Sequence, residues 1–242
     1  MPGPRQPYRR VLLKLSGESL GGEGEFGIDP GELRQIAGEV IAAAQRGCQI
    51  AVVCGGGNII RGATLAKSGL AGRAAADHMG MLGTLINAIA MREALAAAGG
   101  KASVFSAFDA PGLAQRFDRH TALRALDAGE FVVLGGGVGS PFFTTDTTAV
   151  LRAAELDCQA VLKGTKVDGV YDSDPKKNPK AKRFDTLTLT EALARNLGVM
   201  DATALAMAKD QSLPIVVYDY RTKGNTALVV AGEPIGTLVS PA

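Results

Sequence analysis

Thiol pairs are missing from this chain. Its three cysteines, Cys48, Cys54 and Cys158, form no C-x-x-C pair, and each lies in or beside an apolar run. That pattern argues for buried, reduced thiols and a cytoplasmic protein rather than a redox motif. Metal-ligand spacing is missing too: His78 and His120 lie far apart, with no third ligand near either. Charge of one sign is not in excess. The formal net charge is +2, too small to argue for nucleic acid or an anionic membrane as partner. No apolar stretch approaches the roughly 20 residues that span a bilayer. The segment "MPGPRQPYRR" is basic, but "VLLKLSG" puts a lysine inside a very short apolar run, so a secretory leader is not expected. No linker or internal repeat interrupts the chain.

Two common nucleotide motifs are also absent. Nothing matches the P-loop G-x-x-x-x-G-K-[ST]. "GGGNII" fails the G-x-G-x-x-G fingerprint at its last position, and "GGGVGS" ends in serine where the last glycine belongs. What remains is an ordinary globular profile, 46% hydrophobic and 21% charged, in a chain long enough to bury a core without disulfides or a structural metal.

The segments that are present alternate. "RVLLKLSG", "QIAVVCGGGN", "EFVVLGGGVG" and "AVLKGTKVDG" are short aliphatic runs closed by glycine or lysine, and read as buried strands. "KASVFSA" and "LPIVVYDY" read the same way, and "GTLVS" more weakly. Between them, "DPGELRQIAGEVIAAAQRG" predicts a helix with Asp29 as N-cap, Pro30 at N1, a stripe of Leu33, Ile36, Val40 and Ile41, and Gly47 at its close. "ADHMGMLGTLINAIAMREALAAAGG" predicts a longer helix with Leu82, Leu85, Ile86 and Ile89 on one face. "TTDTTAVLRAAELD", "TLTEALARNLG" and "DATALAMAKD" predict three more. Alternation of strand and helix predicts an α/β fold with a mainly parallel sheet and helices on both faces. We expect one domain over 1–242 with two lobes, about 8–160 and about 161–240. The long irregular piece "YDSDPKKNPKAKRFDT" marks a functional loop.

In such sheets ligands bind beyond the carboxyl ends of the strands. "KLSGES" places Lys14 at a strand end, where its ammonium and the following N–H groups can meet one anion. "GGGNIIRG" lets backbone approach a phosphate closely, with Arg61 able to bind it bidentately. "GVGSPFFTTD" is a third Gly-rich turn, too apolar for an ordinary surface loop and too polar for a core. Three such turns point to a large polyanionic substrate pair. Each piece also has a plain structural use: a solvated lysine, tight turns, and Asp77, Thr144, Thr145 or Asp146 as helix N-caps.

Together, "YRRVLLKLSGESL", "GGGNIIRG", "DHMGMLGTLINAIAMR", "SPFFTTD" and "LKGTKVDGVYDSDP" resemble the bacterial UMP kinases (uridylate kinases) of the amino acid kinase family, over about Tyr8 to Ser240. The resemblance implies an α/β/α sandwich around a mainly parallel central sheet. It implies ATP-dependent conversion of UMP to UDP in pyrimidine nucleotide biosynthesis, with Mg²⁺ carried by ATP and no direct protein ligand for the metal. It places Lys14, Leu15, Ser16, Gly17, Gly57, Arg61, Thr165, Tyr171 and Asp174 on ATP. It places Gly56, Asp77, Val138, Gly139, Ser140, Pro141, Phe142, Phe143, Thr144 and Thr145 on UMP, with Asp77 on the ribose hydroxyls. Lys14, Arg61 and Asp146 would be catalytic, with Asp146 orienting Lys14 or holding Mg²⁺ through water. Gly22, Glu23, Gly24, Glu25, Phe26 and Gly27 match a stretch linked to GTP activation. A homohexamer with UTP as inhibitor is the family's usual form. Relatives carry a loop closer to "TGNPFFTTD", so Val138 and Ser140 are departures that bear on base recognition. Two other readings stand beside this one. Another phosphotransferase of the same family would not need Asp77 or an aromatic loop. A non-catalytic nucleotide-binding or storage homologue would be expected to lose parts of the set Lys14, Arg61 and Asp146.

Overall fold

The chain folds around one continuous, mainly parallel sheet because its aliphatic runs are buried on both faces. The computed structural model describes residues 5–22, 26–61, 64, 67, 69, 71–175 and 177–241. Among these the elements run β1 (Arg10–Leu15), a 3₁₀ turn (Gly17–Ser19), α1 (Pro30–Ala44), β2 (Gln49–Cys54), α2 (Arg73–Ala97), β3 (Ala102–Ser106), β4 (Gln115–Arg116), α3 (Arg119–Asp127) and β5 (Phe131–Gly135). Then follow α4 (Thr145–Glu155), β6 (Ala160–Thr165), β7 (Thr186–Thr188), α5 (Leu189–Ala194), α6 (Ala202–Asp210), β8 (Ile215–Asp219), α7 (Asn225–Val230) and β9 (Thr237–Ser240). The sheet order is β4-β3-β5-β2-β1-β6-β8-β9-β7. Every pair is parallel except β8 with β9.

Side-chain alternation along the strands sorts the core into two layers. Val11, Leu13 and Leu15 of β1 pack with α1, α2 and α7. Leu12 packs the other way, with α3, α4, α5 and α6. Lys14 shares the parity of Leu12, and Lys163 shares that of Val161, which lies in the same layer. The two lysines are register partners on adjacent strands. Both therefore rise on the face that α4 covers. The chain also reverses its direction of sheet growth here: β2, β3 and β5 lie on one side of β1, and β6 on the other. The ends of β1 and β6 thus flank a topological switch point, where open α/β sheets bind ligands.

Helix starts follow local chemistry. Asp29 caps α1 by accepting from the N–H groups of Gly31 (2.7 Å) and Glu32 (2.8 Å), with Pro30 in the first turn. Gly47, at φ +83°, closes the turn after it. For α2 the expectation was wrong: the helix starts at Arg73 behind Gly72, so Asp77 lies inside it and caps nothing. Its expected apolar stripe is also split. Leu85 is buried, whereas Leu82 and Ile86 are exposed. The three cysteines are free and buried, and burial pushes each thiol up to about 12. No helix among the described residues is long and apolar enough to cross a membrane.

Candidate active site

Two backbone turns meet each other and α2 at the end of β1, and glycine is what lets them meet. A Cβ on Gly17 would lie 2.5 Å from the Gly57 nitrogen and 2.6 Å from Asn58 Oδ1; one on Gly56 would lie 2.7 Å from the Gly80 carbonyl of α2. Neither position has room for a side chain. Asn58 and Asn87 fasten the turn from beneath: Asn87 Nδ2 donates to the Gly55 carbonyl at 2.6 Å, and Asn58 Nδ2 to that of Gly27 at 2.7 Å. Gly17→Ala is expected to lower stability by about 1–3 kcal/mol, the usual scale of overpacking. Thermal denaturation checks it, and an unchanged midpoint would show that the turns can separate at no cost.

Above the strand ends lies a charged group of three. Lys14 Nζ is 2.6 Å from Asp146 Oδ1, and Lys163 Nζ is 3.1 Å from Oδ2. The first contact is the shorter of the two ion pairs. Lys163 also donates to the Val199 carbonyl. Burial pushes the Asp146 carboxyl up, but the two ammonium groups outweigh it and hold the pKa below the ordinary value. Burial lowers the Lys163 ammonium, with Asp146 opposing. Lys163 was not singled out from the sequence. Its signal was available, because "AVLKGT" puts a lysine at the same strand-end position as Lys14.

Asp146 is placed by its helix but does not cap it. Thr144 is the N-cap of α4, its hydroxyl accepting from the N–H groups of Asp146 (3.0 Å) and Thr147 (3.4 Å). The same hydroxyl donates to Asp201 Oδ2 at 2.5 Å. Asp201 in turn caps α6 through the Ala204 N–H at 2.9 Å. It was also missed, and ties the "TTD" turn to the start of α6.

Two cavities have wall residues that neighbour this group in the chain. The first, of about 450 Å³, is lined by Gly56, Gly57, Arg61, Asp77, Thr144 and Thr145 among others. It falls within the roughly 300–1,000 Å³ range of ligand sites. The second, of about 380 Å³, is lined by Thr165, Tyr171 and Asp174, with Arg195, Asn196 and Gly198. Thr145 precedes Asp146, and Thr165 follows Lys163 by two residues, so the charged group joins the two cavity walls along the chain.

The structure gathers most of the predicted residues, with exceptions. Arg61 is not in contact with the lysine–aspartate group; its guanidinium pairs with Glu18 at 2.9 Å and lies 5.7 Å from the Phe26 ring. Leu15 is fully buried in the core, and its carbonyl accepts from Gly55 N–H at 2.8 Å. Ser16 meets Ser19, hydroxyl to hydroxyl, at 2.9 Å. Phe143 lines the first cavity, but Val138, Gly139, Ser140, Pro141 and Phe142 do not. Neither phenylalanine packs its loop onto the body: Phe142 is 64% and Phe143 51% exposed. The loop is held instead by Asp77, whose Oδ2 accepts the Phe142 N–H at 2.8 Å. Of the stretch expected to respond to GTP, Glu23, Gly24 and Glu25 lie outside the described residues; Phe26 is exposed, and Gly27 donates to the Asn58 carbonyl at 2.7 Å.

A parallel sheet with a switch point, Gly turns at its carboxyl edge and a buried lysine pair on one carboxylate define a class of phosphate-handling α/β protein. Residues 9–219 match the model of that class, and the chain belongs to the amino acid kinase family. Within it, the chain is 51% identical to a uridylate kinase of Azorhizobium caulinodans over 241 residues, covering all of both chains. Among solved structures it is similar to the UMP kinase from Bacillus anthracis, with TM-score 0.94, 37% identity and 98% and 97% of the two chains covered. It is likewise similar to the UMP kinase from Ureaplasma parvum, with TM-score 0.86, 34% identity and 98% and 99% covered.

Proposed function

We propose that this chain transfers the γ-phosphoryl group of ATP to UMP, giving ADP and UDP. The observation that carries the reading is the Lys14–Asp146–Lys163 group, with two cavities of nucleotide size whose walls include its near neighbours in the chain, Thr145 and Thr165. Phosphoryl transfer asks a protein for positioning and for cationic screening of a spread negative charge. Two ammonium groups supply that charge, and the Gly17, Gly56 and Gly57 turns supply backbone N–H groups for phosphate oxygens. UMP takes the first cavity, with Asp77 on the ribose and Thr144 and Thr145 near its phosphate. ATP takes the second, with Thr165, Tyr171 and Asp174 on its adenosine part. An oxygen of the UMP phosphate attacks the γ-phosphorus as the bond to ADP breaks. Arg61 leaves Glu18 to bind phosphate when substrate enters.

Both Asp146 oxygens face ammonium groups, which supports a role in orienting the lysines. The Mg²⁺ that ATP carries would be held by phosphate oxygens and water. Two lobes belong to the same proposal: about 8–160 would build the acceptor side, and about 161–240 the nucleoside side of the donor. Leu82 and Ile86, exposed one turn apart on α2, suit self-association, in keeping with a homohexamer. Regulation by GTP and UTP, a place in pyrimidine nucleotide synthesis and a cytoplasmic location belong to the same proposal.

The test mixes the protein and Mg-ATP separately with UMP, CMP, dUMP, AMP, aspartate and acetylglutamate, and measures ADP release. UMP is expected to give the highest rate. A preference for an amino acid would sink the reading in favour of another branch of the family, and no turnover with any acceptor would favour the storage homologue. Asp77→Asn is expected to raise the KM for UMP while leaving that for ATP largely intact.

A further inference from the structure

Arg73 opens α2 at the wall of the first cavity. One helical turn later comes Asp77. The arginine Nε lies 3.0 Å from Asp77 Oδ1 and 2.9 Å from Oδ2, so a single N–H is shared by both oxygens. Oδ2 accepts the Phe142 N–H as well. Phe142 has φ +73°, a left-handed conformation that is a genuine outlier for a bulky residue. The guanidinium carbon of Arg73 lies 6.0 Å from the centre of the Phe142 ring. One arginine therefore touches both the acidic residue in the acceptor cavity and the loop beside it.

We propose that Arg73 is a positioning and specificity-determining residue for the sugar of the acceptor nucleotide. The inference rests on the reading of Asp77 as the ribose acceptor. A carboxylate accepts from neighbouring hydroxyls only when its free lone pairs are turned towards them. An unheld aspartate rotates about its last bond and loses that orientation. The shared Nε contact fixes the rotation and, with the Phe142 N–H on Oδ2, leaves the outer side of Oδ1 to the sugar. Because Phe142 N–H sits on Oδ2, the same contact ties the loop to the sugar site. A deoxyribonucleotide offers Asp77 one hydroxyl fewer, so it gains less from a fixed carboxylate than a ribonucleotide does. Lysine does not reproduce the contact, because its flexible ammonium lacks the planar guanidinium that holds the Nε–H in place.

The experiment measures kcat and KM for UMP and for dUMP, at saturating Mg-ATP, in the wild type, Arg73→Gln, Arg73→Lys and Asp77→Asn. Arg73→Gln is expected to raise the KM for UMP about tenfold, the scale of one charged hydrogen bond, with kcat and the KM for ATP within about twofold. The ratio of kcat/KM for UMP over dUMP is expected to fall by about the same factor. A merely structural role would weaken both nucleotides equally and leave that ratio alone. Arg73 is more than half exposed, and thermal midpoints confirm folding; Arg73→Lys, which keeps the charge, is expected to lose the same discrimination. A ratio that falls in Asp77→Asn but stays at the wild-type level in both Arg73 variants overturns this inference alone. A ratio unchanged in Asp77→Asn overturns the ribose assignment and this inference with it.

Discussion

Asp146→Asn should cut turnover by on the order of a hundredfold or more, the scale of one preorganised electrostatic group, while the KM values for both nucleotides stay within a few-fold. The carboxylate touches no substrate in this reading. It holds two ammonium groups where a transferring phosphoryl group would pass, 2.6 and 3.1 Å from its oxygens. Asparagine keeps the shape but cannot hold two cations side by side. Lys14 and Lys163 are register partners, and without the shared anion they repel. Removing one partner of a buried ion pair costs about 3–5 kcal/mol, so a lower thermal midpoint is expected as well. The pH dependence gives a second check. The folded pKa of Asp146 lies below its ordinary value. Its contribution to stability is therefore present above the unfolded value, about 3.9, and is lost as pH falls through the folded one. Calorimetry from pH 7 downwards should show the wild-type midpoint falling more steeply than that of Asp146→Asn across this acid window. Equal slopes would mean that the carboxylate is not held by the lysines in solution.

The sheet and most helices were legible because each strand is an uninterrupted aliphatic run and each long helix has a cap or a stripe. The elements that escaped were short or polar. β4 is two exposed residues, Gln115 and Arg116, stabilised by pairing that no local pattern encodes. α3, "RHTALRALD", buries only Ala122 and Leu126, so its apolar face is too thin to read. The start of α2 was misjudged because Gly72 gives no side-chain cap, whereas Asp77 looks like one. The site divides along the same line. Gly17, Gly56 and Gly57 are local signals of close backbone approach. Lys163 and Asp201 act through partners more than 15 residues away in the chain. Lys163 reaches Asp146 because two strands run in register, and Asp201 reaches Thr144 because α6 packs on α4. Resemblance to a family supplied the roles of Lys14 and Asp146. Neither it nor periodicity supplied the pairing of Asp77 with Phe142, which depends on how a loop folds back over a helix.

Lys14→Ala should lower turnover about as far as Asp146→Asn does, on the order of a hundredfold or more, but through a different limb of the same device. Its side chain is only 9% exposed, and its ammonium pairs with Asp146. Removing it takes away a positive charge that grows in value as negative charge spreads over the transferring phosphoryl oxygens. The loss should fall on kcat, because the nucleotides keep their cavity walls. Asp146 then retains Lys163 alone. Since Lys14 is the leading attraction opposing the upward push of burial, its loss raises the Asp146 pKa, and the acid limb of the rate profile should move to higher pH. Lys163→Ala should move that limb in the same direction. The double variant is the sharper measurement. Two lysines acting independently on the phosphoryl group would multiply their losses; two lysines serving one carboxylate-centred unit should not, as groups that act together are strongly non-additive. We expect the double variant to be little slower than Lys14→Ala alone. Fully multiplicative losses would separate Lys163 from the unit and leave Lys14 with Asp146 as the working pair.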